Sequence, residues 1–122
     1  MPEYVDGFVL AVPKKSARRY AAQAKLAGRV WMDHGALAYR ECMAEDVSWG
    51  KRTSFPRSVK AKKNEVVWLS WAVYRSKADR NRVMAKVMAD PRLAKFMKPG
   101  AMPFDTKRMY WGGFTTKIKL GR

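Results

Sequence analysis

The chain has 122 residues, of which 48% are hydrophobic, 12% aromatic and 30% charged. This length predicts one domain over residues 1–122, and the apolar content excludes a compositionally disordered protein. The 26 Lys and Arg residues outnumber the 10 Asp and Glu residues, and the formal net charge of +16 makes polyanions candidate partners.

The first half of the chain predicts a strand, a long helix and a second strand. Residues 4–12 (YVDGFVLAV) are aromatic and β-branched, which is typical of a strand. Pro13 suits the first turn of a helix over residues 14–34, and Gly35 suits its C-terminal end. Residues 36–43 (ALAYRECM) are then expected to form the second strand.

The second half of the chain is expected to contain the same elements in the same order: a strand, a helix and a strand. Residues 44–57 contain Asp, Ser, Gly and Pro and are expected to be a loop. Residues 65–74 (EVVWLSWAVY) are apolar on both faces, which indicates a central strand. Ser76 is a natural N-cap for a helix that runs to about Ala89, and residues 108–120 alternate like a final strand.

The predicted order β-α-β-β-α-β is the signature of a ferredoxin-like α+β sandwich. Both helices then cover one face of a four-stranded antiparallel sheet. The large apolar residues that one helical layer cannot cover are Phe8, Trp68, Trp71, Tyr110, Trp111 and Phe114. We therefore expect the second face to pack against another copy, in a homodimer of the dimeric α/β-barrel type.

Five segments resemble the YbaA-like family of small bacterial proteins: YVDGFVLAVPKK, HGALAYREC, TSFPRSVK, KVMADPR and MPFDTKRMYWGGF. The resemblance covers nearly the whole chain, and the last segment is the most specific. The family is a domain of unknown function in the dimeric α/β-barrel group, so the resemblance implies that fold. It also implies that residues 90–114 join the second helix to the last strand as part of the fold. Gly112 and Gly113 in this segment predict a bulge or a close backbone approach.

The first functional hypothesis is a small-molecule pocket between the sheet and the helices. The dimeric α/β-barrel group, as the resemblance implies, includes cofactor-free monooxygenases, isomerases and haem enzymes, so the fold does not select a reaction. The residues expected to line the pocket are Tyr20, Trp31, His34, Ser70, Tyr74 and Tyr110. The sequence assigns no catalytic residue and predicts no cofactor.

Several polar residues have structural interpretations that the sequence favours over catalytic ones. His34 is expected to end a helix and make a hydrogen bond, and Asp105 with Arg108 is expected to tie a loop to the last strand. Cys42 is expected to be a small buried residue. One His, one Cys and scattered acids make no metal-binding motif, so no metal site is predicted.

The second functional hypothesis is non-specific binding of polyanions, either nucleic acid or an acidic protein. No nucleic-acid-binding motif is present, and the exterior cations of both helices are expected to lack acidic partners. The candidate residues are Arg18, Arg19, Lys25, Arg29, Lys51, Arg52, Arg82 and Lys86. A third explanation stays open, in which the charge is engineered supercharging with no native role.

The sequence also predicts a cytoplasmic protein. Cys42 is the single cysteine, which is typical of a reducing compartment. The N-terminal segment MPEYVDGF lacks the basic start and the apolar run of a signal peptide. No run of about 18 apolar residues predicts a membrane span.

Overall fold

The computed structural model describes all 122 residues of the chain. The strands are β1 (Tyr4–Pro13), β2 (Ala38–Met43), β3 (Glu65–Tyr74) and β4 (Tyr110–Thr115). The α-helices are α1 (Ala17–Asp33), α2 (Phe55–Ser58), α3 (Lys77–Met88) and α4 (Pro91–Ala94). Single 3-10 turns precede α1 at Lys14–Ser16 and β4 at Thr106–Arg108. None of the helices has the length and apolar character that crossing a lipid bilayer requires.

The four strands form one antiparallel sheet in the order β2-β3-β1-β4. The helices α1 and α3 pack on the same face of this sheet, where Val30 and Val83 share a core with Ala72. This is the ferredoxin-like topology, so the predicted fold class is confirmed. The strand β3 is central, which explains why its sequence is apolar on both faces.

Local sequence signals set the ends of both long helices. Gly35 follows α1 with φ of 115°, a conformation that residues with a side chain rarely adopt. Ser76 begins α3, and its Oγ accepts a hydrogen bond of 3.1 Å from the backbone N–H of Asp79. Beyond α3, Asp90 caps α4 by accepting a 2.9 Å hydrogen bond from the backbone N–H of Arg92.

Two segments differ from the sequence-based expectation. The strand β4 is shorter than residues 108–120, because β1 begins at Tyr4 and offers no partner after the Thr116 N–H bonds to the Glu3 carbonyl at 2.9 Å. The predicted loop over residues 44–57 contains the start of the short helix α2. Ser54 caps that helix by accepting a hydrogen bond from the Arg57 N–H at 3.1 Å.

The second face of the sheet is only partly covered. Val59 and Ala61, which follow α2, pack on Val9 and Val67 at one end of this face. The strand residues on the rest of the face are Val5, Gly7, Ala38, Arg40, Cys42, Leu69, Trp71, Val73, Tyr110, Gly112 and Phe114. We call this surface the open sheet face, and Arg40 is its one charged strand residue.

Cys42 lies on the open sheet face and is exposed. The prediction that it is buried is therefore wrong for the isolated chain. The reason is its position on β2, an edge strand, with a side chain that points away from the helices. Sequence alternation gives the face of a strand residue, but it does not say whether that face is covered.

Candidate functional site

A cavity of about 330 Å³ lies between the sheet and the helical layer. Sixteen of its nineteen lining residues are hydrophobic, so a ligand there would contact mainly apolar groups. The helices α1 and α3 and the segment between α4 and β4 form its roof, and the volume falls in the range of small-molecule sites. The roof residues from α4 and from that segment are Leu93, Phe96, Met97, Met102, Phe104 and Met109.

One row of residues on the cavity floor crosses the whole sheet. Glu41 on β2 pairs with Ser70 on β3, Ser70 pairs with Phe8 on β1, and Phe8 pairs with Trp111 on β4. Strands lie about 4.8 Å apart, so three steps span roughly 14 Å. The Phe8 and Trp111 rings stack with centroids 6.0 Å apart. The floor therefore changes from polar at β2 to aromatic at β4.

The cavity opens on the β4 side. Three lining side chains are about half exposed: Met88 at 53%, Met97 at 53% and Trp111 at 52%. At the opposite end, Ser70 is 3% exposed. A ligand that enters between these two methionines and the tryptophan would reach Ser70 and Glu41 with its leading end.

Glu41 is the carboxyl group at the inner end of the cavity. Its Oε1 accepts a hydrogen bond of 2.9 Å from the Tyr20 hydroxyl, and its Oε2 accepts one of 2.7 Å from the Tyr39 hydroxyl. Burial raises the pKa of Glu41, and hydrogen bonds from Tyr39, Tyr20 and Ser70 offset this only in part. The pKa values of both tyrosines are raised, first by burial and then by the Glu41 charge.

Gln23 is a second polar residue of the cavity wall. Its Nε2 donates to the Ala101 carbonyl at 3.4 Å, while its Oε1 is buried and accepts no hydrogen bond. A buried acceptor without a donor is uncommon in folded proteins. Because this oxygen is buried away from the cavity surface, the Glu41 carboxyl is the acceptor that the cavity presents to an occupant.

An open groove lies on the other side of Glu41, between α1 and the edge strand β2. Its volume is about 630 Å³, and Glu41, Tyr39 and Ala24 line both the groove and the cavity. Lys25 and Arg29 are its exposed cations on α1. The Glu41 side chain therefore forms part of the wall between the cavity and an open groove.

The structure places three of the six predicted pocket residues in the cavity: Tyr20, Trp31 and Ser70. Tyr74 lies outside it, fully buried, because its hydroxyl accepts a 2.9 Å hydrogen bond from Trp31 Nε1 and donates a 3.0 Å bond to Asp6 Oδ2. Tyr74 therefore supports the wall behind Trp31 instead of facing a ligand.

His34 and Tyr110 are also outside the cavity. His34 follows the C-terminal end of α1, where its Nε2 lies 2.8 Å from Asp90 Oδ2, which fits the structural interpretation. The pKa of Asp90 is lowered, mainly by hydrogen bonds from Arg92 and then by His34. Tyr110 precedes Trp111 on β4 and points to the opposite face, where its hydroxyl donates to Ser58 Oγ at 2.9 Å.

A buried polar cluster lies next to the cavity. Asp6 accepts the Tyr74 hydroxyl, and burial raises the pKa of Asp6 despite the Arg80 guanidinium at 3.9 Å. Arg80 Nη2 donates to the Tyr4 hydroxyl at 3.2 Å. A Cβ at Gly113 would lie 2.5 Å from the Tyr4 hydroxyl and 2.9 Å from Arg80, so this glycine marks a close backbone approach.

Most of the candidate polyanion-binding residues are exposed cations without an acidic partner. Arg19 differs in that its Nη2 donates to the Ala101 carbonyl at 3.0 Å. Arg82 forms an ion pair with Asp79, so the expectation that it lacks an acidic partner is wrong; the two lie three residues apart on α3. Those without an ion pair are Arg18, Arg19, Lys25, Arg29, Lys51, Arg52 and Lys86.

Arg108 is the most connected cation in the structure. Its guanidinium forms two hydrogen bonds with Glu65, of 2.6 and 2.8 Å, and a third of 3.0 Å with Asp105. It also donates to the Lys60 carbonyl at 2.9 Å. The pair Asp105 and Arg108 therefore ties the loop before β4 to β3, and it takes no part in the cavity.

Sequence reasoning assigned no role in the pocket to Glu41 or to the methionines of the roof. The alternation in AYRECM puts Tyr39 and Glu41 on one face and Arg40 and Cys42 on the other, which is a signal for an inward-facing carboxyl. The methionines lie on segments that reach the sheet only through tertiary folding. No group of three or more His, Cys, Asp and Glu side chains is arranged to hold a metal ion.

A sequence model of the family described as "Protein of unknown function (DUF1428)" matches residues 3–106. The chain belongs to this family. The uncharacterized protein YbaA of Escherichia coli is 46% identical over 116 residues, which cover 95% of this chain and 97% of the relative. The YbaA protein of Shigella flexneri has the same identity and coverage. The predicted family is confirmed.

Solved structures with the same fold are distant in sequence. A dimeric ferredoxin-like protein from an uncultured marine organism has a TM-score of 0.63 and 8% identity, over 98% of this chain and all of its own. SnoaB, a cofactor-independent oxygenase from Streptomyces nogalater, has a TM-score of 0.55 and 16% identity over the full length of both chains. A nipsnap family protein with unknown function from Agrobacterium tumefaciens has a TM-score of 0.52 and 17% identity, over 94% and 88%.

Proposed function

We propose that the protein is a cytoplasmic homodimer of one domain, residues 1–122, that binds a small apolar molecule carrying a hydroxyl group. The observation that carries the proposal is the cavity of about 330 Å³, with apolar walls and Glu41 at its inner end. Apolar walls give affinity through the burial of ligand surface, and a few polar groups give orientation.

The hydroxyl group in this proposal follows from the acceptor that the cavity offers, the Glu41 carboxyl. The Glu41 carboxyl accepts hydrogen bonds from the Tyr20 and Tyr39 hydroxyls, and each carboxylate oxygen has a second acceptor site. A ligand hydroxyl would add a hydrogen bond to a charged group, which contributes about 1.5–3 kcal/mol. A ligand carboxylate would instead place a second negative charge beside Glu41, which is unfavourable in a buried site.

Binding is tested with naphthol, an aromatic molecule with one hydroxyl group, and with its methyl ether, which lacks the donor. Calorimetry should detect naphthol binding and a weaker interaction with the ether. Ala27→Phe fills the cavity from α1 and should weaken naphthol binding at least about tenfold, or roughly 1.4 kcal/mol. The matched control is Ala22→Phe on the exposed face of the same helix. Equal binding by both variants would refute a cavity site.

The homodimer is supported by the open sheet face. This face carries Leu69, Trp71 and Phe114, of which Phe114 is 63% exposed. Charged residues make up 30% of the whole chain. A contiguous apolar surface of this kind is typical of an interface. A second copy fits because two faces with so few charges can meet despite the net charge of +16 on each chain.

The dimer is tested by sedimentation of the wild type and of Leu69→Glu, which puts a charge at the centre of the open sheet face. We expect the wild type to sediment as a dimer and the variant as a folded monomer. Ala22→Glu on the outer side of α1 is the control and should stay dimeric. A monomeric wild type at high concentration would contradict the proposal.

Non-specific binding of nucleic acid or of an acidic protein is a second candidate function, favoured by the unpaired cations. Five of the 26 Lys and Arg residues are in ion pairs, which leaves 21 without one. Such a surface attracts phosphate groups with an affinity that falls steeply with salt. The paired residues are Arg80, Arg82, Arg92, Arg108 and Lys119.

Titration of duplex DNA at several salt concentrations tests this second function. The expected result is a linear fall of log affinity with log salt, whatever the DNA sequence. The variant Lys25→Ala with Ala22→Lys moves one cation along α1 without changing the net charge, and it should bind equally well. A large loss of affinity in that variant would indicate a specific site and would contradict non-specific binding.

A further inference from the structure

Glu41 is unusual among the acids of this protein because it is an interior carboxyl without a cation. Asp6 lies 3.9 Å from Arg80 and Glu65 lies 2.6 Å from Arg108, whereas Glu41 has no ion pair. A chain with 26 Lys and Arg residues does not lack cations to pair with it. The charge of Glu41 is therefore stabilised by hydrogen bonds from uncharged hydroxyl groups instead of by a cation.

The hydrogen bonds of Glu41 leave it able to contact a ligand. Each carboxyl oxygen accepts from one tyrosine, Tyr20 on Oε1 and Tyr39 on Oε2, and a carboxylate oxygen has a second acceptor site. The two tyrosines come from α1 and β2, so they fix the carboxyl from two sides. The floor row ends at this carboxyl, about 14 Å from Trp111 at the mouth.

We propose that Glu41 accepts the proton of the ligand's hydroxyl group, so that a phenol or enol is held in the cavity as its phenolate or enolate. This inference rests on the proposed binding function. The O–H bond of the ligand breaks, a new O–H bond forms on a Glu41 oxygen, and the electron pair stays on the ligand oxygen. The neutral carboxyl then donates a hydrogen bond to that anion, and the number of charges in the cavity is unchanged.

The groove beside α1 supplies a route for the proton to leave. Glu41 and Tyr39 line both the cavity and the groove, so a proton taken from the cavity side can exchange with water on the groove side. A site that deprotonates successive ligands needs such a route. The mouth, by contrast, is lined by Met88, Met97 and Trp111, which carry no acid or base.

The balance of effects on Glu41 favours proton uptake, since burial raises the pKa of its carboxyl more than the surrounding hydrogen bonds lower it. Burial makes the carboxyl more basic than an ordinary glutamate, because its pKa is raised, and an acceptor acts best when its pKa is near the working pH. Both tyrosines stay protonated, since their own pKa values are raised. The ionisable groups around it are Tyr20 from α1 and Tyr39 from β2, with Lys25, Arg29 and Asp33 across the groove.

The probe for this inference is para-nitrophenol, whose ionised form has a separate absorption band at longer wavelength. At a pH below the solution pKa of the probe, the wild type should generate the phenolate band as the cavity fills. Glu41→Gln keeps an acceptor oxygen for the tyrosines and should bind the probe in calorimetry, within about tenfold of wild type, without the band. Binding of the neutral phenol by the wild type would overturn the inference and leave the binding function intact.

Surface attraction is the main alternative source of a phenolate band, because a protein of net charge +16 attracts anions. Ala27→Phe separates the two sources, since it fills the cavity and leaves the charge unchanged. Loss of the band in this variant, with the band kept in Ala22→Phe, supports the cavity. A band that survives in both Ala27→Phe and Glu41→Gln overturns the inference. If neither naphthol nor para-nitrophenol binds the wild type, the proposed function itself fails.

Discussion

Replacing Gly28 by alanine should destabilise the protein, although alanine is the better helix former. Gly28 lies inside α1, where the change to alanine alone gains about 1 kcal/mol. The new Cβ would lie 2.7 Å from Cδ1 and 3.0 Å from Cε1 of the Tyr39 ring. Carbon atoms pack best at about 3.5–4.0 Å, so the ring must move by roughly 1 Å.

The Tyr39 ring is not free to make this movement. Its hydroxyl donates to Glu41 Oε2 at 2.7 Å, and its ring packs against Trp31 with centroids 5.6 Å apart. Overpacking costs about 1–3 kcal/mol, and a lost hydrogen bond to a charged group costs about 1.5–3 kcal/mol. After the helix gain is subtracted, we expect Gly28→Ala to lower the free energy of unfolding by about 1.5–5 kcal/mol.

Urea denaturation at one fixed protein concentration measures this change, with a double-mutant cycle as the control. In a Tyr39→Ala background the clash is absent, so Gly28→Ala should there stabilise the protein by up to about 1 kcal/mol. The reversal of sign between the two backgrounds is the expected result. An increase in stability when Gly28→Ala is made in the wild type would refute the reasoning.

Three further predictions concern buried or hydrogen-bonded polar groups. Because the pKa of Glu41 is raised in the folded state, its contribution to stability is present at a pH below the ordinary glutamate pKa and is lost as the pH rises through the folded-state pKa. Thermal denaturation at several pH values should show this decline in the wild type and a smaller decline in Glu41→Gln. Arg108→Lys loses the paired hydrogen bonds between the guanidinium and the Glu65 carboxylate. Urea denaturation should show that the free energy of unfolding falls by about 1–3 kcal/mol, whereas Lys107→Arg should have little effect. Tyr74→Phe leaves two buried partners without a hydrogen bond and should cost about 2–5 kcal/mol by the same assay.

The fold was predictable because the residues that begin and end its helices act through local backbone preferences. The alternation of apolar residues identified β1 and β3, and Gly35, Ser76 and the sequence Asp90-Pro91 marked helix ends through their own backbone preferences. The order of elements then left few topologies to consider. The extent of β4 was not predictable in this way, because it depends on where β1 begins more than a hundred residues away in sequence.

The candidate site was predictable only where helix or strand phase decides the direction of a side chain. Tyr20 and Trp31 lie on the inner stripe of α1, and Ser70 lies on the inner face of β3. The prediction that Tyr110 lines the cavity is wrong, because a shift of one residue along a strand reverses the face, and the neighbouring Trp111 has the inward position. The absence of a cation beside Glu41 follows from tertiary packing, which no local pattern reveals.

The roof of the cavity has a consequence for how selective the protein is toward ligand shape. Five of the eight methionines line the cavity, and each has an unbranched side chain that adopts many shapes at little cost. The floor, in contrast, is made of residues fixed on paired strands. Ligands should therefore be discriminated sharply by the position of the hydroxyl along the floor and only loosely by their thickness. The methionines are Met84, Met88, Met97, Met102 and Met109.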